Sequence, residues 1–84
     1  FFYPVMRLGY LPQPADPGRL TALVGPARAK MILMVGARIS AAQALDWGLL
    51  DRLTDDDLMA EARRLAADAL AASADHVAAI KRMI

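Results

Sequence analysis

Apolar and polar positions alternate with changing period along this chain, and the changes of period predict its elements. Phe1 to Leu8 gathers Phe, Tyr, Val and Leu around Pro4; a proline there predicts an edge strand or strand end, because it cannot donate to a ladder. Gly9 to Gly18 carries Pro12, Pro14 and Pro17 and reads as a stiff loop. Asp16-Pro17 then has the form of an N-cap followed by a first-turn proline, predicting a short helix through Leu20 and Leu23 that Gly25 ends. Pro26 starts the next helix, with Met31, Ile32, Met34 and Val35 as its apolar face, Arg28 and Lys30 as its wet face, and Gly36 at a left-handed C-cap. Ser40 and Gln43 have capping-box spacing and open a helix through Ala41, Ala44 and Leu45 that stops at Gly48. Leu49 to Leu53 reads as a short extended piece.

Beyond Leu53 the period is helical. Thr54 with Asp55, Asp56 and Asp57 predicts an acidic first turn, where free N–H groups favour carboxylates. Leu58, Ala62, Leu65, Ala66, Ala69 and Leu70 recur at three- and four-residue steps, so residues 55–72 are expected to form the longest helix. Ser73 caps a final helix with Val77, Ile80 and Ile84 on one face and Lys81 and Arg82 near its end. The break at Thr54 is the one subdomain boundary. The predicted class is mainly α with one or two short strands.

Composition narrows the chemistry. The chain has 84 residues, 57% hydrophobic and 23% charged, with net charge +1, which favours a packed core over disorder. Its charges are dispersed without a basic run, so neither nucleic acid nor an acidic membrane surface is an expected partner. With no cysteine and one histidine, disulfides, thiolate zinc sites and cysteine nucleophiles are excluded, and no metal is expected. The absence of cysteine fits a reducing cytoplasm. No apolar run approaches the ~20 residues that cross a bilayer. Phe1-Phe2-Tyr3 lacks the marks of a signal peptide, and the apolar start without methionine suggests a fragment or processed form.

The order of these elements resembles the C-terminal third of the enoyl-CoA hydratase/isomerase family, the crotonases. The resemblance spans essentially the whole chain. It rests on Pro4 through Pro12 with Gly9, on Arg19-Leu20, on Val24-Gly25-Pro26-Ala27-Arg28-Ala29, on Gly36-Ala37-Arg38-Ile39-Ser40-Ala41, and on Ala44-Leu45-Asp46-Trp47-Gly48-Leu49. It implies an α/β ββα spiral fold, an acyl-CoA thioester as substrate or ligand, no separate cofactor, and helices that assemble homotrimers or hexamers. By this match residues 1–53 end the spiral core and residues 54–84 form the helical oligomerisation region.

The resemblance also implies a chemistry. Family members bind the thioester oxygen with two backbone N–H groups, worth roughly 3–4 kcal/mol each, in a segment that would lie upstream of Phe1. Hydratases add two glutamates, the second of which would fall immediately after Pro4. This chain has Val5 there, and a valine cannot exchange a proton, so ordinary hydratase activity is doubtful and this chain alone is expected to be inactive. Gln13 matches a glycine beside the catalytic water and is a candidate for touching substrate. Asp16 is a weaker catalytic candidate, its other reading being the N-cap. Lys81 matches a lysine of the last helix that approaches the CoA phosphates, its other reading being a solvated cation suited to a helix end. Arg7 reads equally as a CoA-facing cation or a surface residue. Tyr3 and Tyr10 read as proton donors or as core or pocket wall, Trp47 as a ligand platform or a buried anchor, and His76 as an exposed helix-start residue. Two functional readings follow: an enzyme of fatty acid metabolism with lyase or isomerase chemistry, or a non-catalytic acyl-CoA-binding or assembly protein on the same scaffold.

Overall fold

Pro4 and Gly9 bracket four residues, Val5–Leu8, that form one helical turn, α1, in the computed structural model, which describes residues 1–84. The expected strand is therefore absent, and so is any other strand. The reason is local: Leu8 N–H donates to the Pro4 carbonyl at 3.0 Å, and Gly9, at φ 75°, closes the turn as a left-handed cap. A proline start and a glycine stop outweigh the strand preference of Val5 and of the aromatic residues before Pro4. What remains of strand pairing is one residue deep. Phe1 and Ile39 exchange two backbone hydrogen bonds, of 2.8 and 3.0 Å, in the manner of an antiparallel pair.

The chain forms two compact units, Phe1–Leu53 and Thr54–Ile84. In the first, α1 is followed by α2 (Asp16–Val24), α3 (Pro26–Lys30), a π-helical turn (Met31–Val35) and α4 (Ala41–Asp46). Helix α2 begins at its expected cap, Asp16. Ala15 holds the N-cap position without a side-chain bond, and Asp16 and Pro17 lie inside the first turn, which leaves the Asp16 carboxylate free for another partner. Gly25 ends α2 and Pro26 opens α3, which packs on α2. The Ser40–Gln43 capping box forms reciprocally, with Ser40 Oγ accepting from Gln43 N–H at 3.1 Å and Gln43 Oε1 accepting from Ser40 N–H at 3.1 Å. Gly48, at φ 81°, follows α4, and a Cβ there would stand 3.2 Å from the Leu23 carbonyl oxygen. Residues 49–53 run through bends, without strand pairing.

The π-helical turn alters the apolar face read from the sequence. Gly36 and Ala37 both donate to the Met31 carbonyl, which widens the turn relative to an α-helix. Ile32 becomes completely buried, whereas Met34 and Val35 remain exposed. Around Ile32 gather Leu20, Val24, Ala29, Ile39 and Ala44, with Tyr3, Leu33, Trp47 and Leu49 packed against them half-buried. These residues are the core of the first unit.

The second unit contains α5 (Leu58–Leu65), α6 (Ala67–Ala71) and α7 (Ala74–Met83). The long helix expected over residues 55–72 is divided at Ala66, and the longest helix is α7, of 10 residues. No glycine or proline marks the division. Asp68 sits in the first turn of α6, where a restarted helix favours a carboxylate, and none of the three helices buries a residue that would hold the pair straight. The acidic run also differs in detail: Asp57 alone caps α5, accepting from the N–H groups of Met59 and Ala60, while Thr54 Oγ1 accepts from Asp56 N–H. Ser73 caps α7 by accepting from His76 N–H at 3.2 Å. No helix is long and apolar enough to cross a membrane.

Candidate active-site region

Val5, on the single turn of α1, faces a cavity of about 370 Å³ whose other walls include Tyr10, Leu11, Pro12, Leu33 and Met34. The Pro4–Gly9 bracket sets α1, the segment after it supplies Tyr10, Leu11 and Pro12 to the lining, and the π-helical turn supplies Leu33 and Met34. No carboxylate or amine lines this cavity, and Tyr10 supplies its one side-chain hydroxyl. Its volume is within the range of small-ligand sites, which are apolar with few polar groups.

Beside it the structure brings together three residues singled out in the sequence. Tyr3 Oη donates to Asp16 Oδ2 at 2.6 Å, and Asp16 N–H donates to the Gln13 carbonyl at 2.9 Å. The hydrogen bond to the Asp16 carboxylate, reinforced by desolvation, pushes the Tyr3 phenol above its ordinary value of 10.0, while the Gln13 backbone pulls it the other way. Tyr3 thus ties the proline-rich loop to the N-terminal segment. Gln13 is exposed, and its side chain lines neither this cavity nor its neighbours. The Tyr3–Asp16 pair, thirteen positions apart, has no signature in the sequence, because neither residue type requires the other.

Arg7 does not line the Val5 cavity. It borders an adjoining cleft together with Arg38, a residue that sequence reasoning used only as part of a motif. Trp47 is half-buried against the core, with the Arg28 guanidinium 5.3 Å from its ring centre. Lys81 lies exposed in the last turn of α7 without an ion-pair partner. His76 is exposed and borders an apolar hollow of about 310 Å³ with Ala69, Ala72, Val77 and Ile80. No three of the His, Asp and Glu side chains gather closely enough to hold a metal ion.

Comparison with known proteins decides the family. The enoyl-CoA hydratase/isomerase family model matches residues 1–84, the whole chain. The chain belongs to the enoyl-CoA hydratase/isomerase family. Among its relatives are proteins named carnitinyl-CoA dehydratase from Salmonella typhi, Salmonella agona and Salmonella typhimurium, each 34% identical over 84 residues. The match covers 99% of this chain and 32% of each of these relatives, so the chain spans about a third of their length. No solved structure matches it significantly. The geometry around Val5 is an apolar wall.

Proposed function

We propose that this chain is the C-terminal third of an enoyl-CoA hydratase/isomerase family enzyme that acts on acyl-CoA thioesters and has lost the ordinary two-glutamate hydration. The observation that carries the reading is Val5 on the wall of an apolar cavity of about 370 Å³. The cavity suits an acyl group, and no carboxylate or amine lines it. Residues 1–53 close the spiral core in this reading, residues 54–84 assemble homotrimers or hexamers, and Lys81 approaches the CoA phosphates. Gln13, exposed on the loop, is a residue for touching bound substrate, and Asp16, held by Tyr3, keeps the loop in place. The enzyme is cytoplasmic and works on the thioester without a further cofactor. Relatives named as dehydratases support lyase chemistry on a CoA thioester. The same absence of an acid on the cavity wall supports a second reading, a non-catalytic acyl-CoA-binding or assembly protein.

The test uses the full-length protein that carries this chain and follows loss of absorbance of a short enoyl-CoA. Where the upstream segment supplies the first glutamate, Val5→Glu is expected to raise hydration, because a positioned acid or base is worth about 10²–10⁴-fold, and Val5→Glu with Gln13→Gly is expected to exceed it by restoring the glycine that the resemblance places beside the catalytic water. High hydratase activity in the unmodified protein would overturn the assignment of the catalytic position. No gain in either variant, with acyl-CoA binding retained, would favour the binding-protein reading or a different thioester reaction.

A further inference from the structure

We draw no further inference here: the strongest candidate, the Tyr3–Asp16 side-chain pair that joins the N-terminal segment to the first turn of α2, belongs to the candidate site already described and borders neither of the two cavities beside it.

Discussion

At the scale of single residues, one hydrogen bond sets a measurable property. Tyr3 Oη reaches Asp16 Oδ2 at 2.6 Å, and this contact favours the protonated phenol, raising its titration above 10.0. The stabilisation that results is whole below the ordinary value and is lost as pH rises through the higher folded one. Phenolate absorbance, compared with that of Tyr3→Phe to isolate this group, should therefore show a midpoint above 10.0 that returns toward it in Asp16→Ala. An unchanged midpoint in Asp16→Ala would show that the pair does not form in solution. Val5 belongs to the same scale: its identity was legible at once, while the cavity it faces depends on Leu33 and Met34, which the π-helical turn carries there.

At the scale of elements, capping separates residues that look equivalent in sequence. Asp55, Asp56 and Asp57 form one acidic run, yet only Asp57 accepts from the first free N–H groups of α5. Asp57→Ala should reduce the helicity of α5, read by hydrogen exchange of the Met59 and Ala60 amides, whereas Asp55→Ala should leave it unchanged. In the first unit the Ser40–Gln43 box closes on both sides, and Ser40→Ala is expected to cost about 1 kcal/mol, measured by denaturant unfolding. The caps at Ser40, Gly36 and Ser73 were legible because their donors and acceptors are set within a few residues. The division at Ala66 was not, since alanine is the best helix former and carries no mark of a break.

At the scale of the whole molecule, buried area is scarce. The core comprises six buried residues, all in the first unit, and the second unit buries none. Leu58, Leu70 and Met83 are 70%, 69% and 84% exposed. Apolar surface on this scale promotes association, so sedimentation of the isolated chain over a wide concentration range should show species larger than a monomer. Leu70→Lys with Ile80→Lys should shift the distribution toward the monomer. A sharp cooperative melt from a confirmed monomer would contradict this expectation.

The sequence by itself determined the helical character, the caps, the Thr54 boundary of the apolar pattern and the resemblance that places the chain in its family. These features depend on neighbours within one or two turns, where spacing and residue type suffice. Tertiary structure decided what required distant partners: the Tyr3–Asp16 bond, the burial of Ile32 in preference to Met34 and Val35, and the meeting of Arg7 with Arg38 at one cleft. The physical reason is that strand formation and side-chain pairing need a second segment to supply hydrogen bonds or charge. Which segment arrives is settled by packing around Ile32, through a widened turn that no residue in the Met31–Val35 run announces.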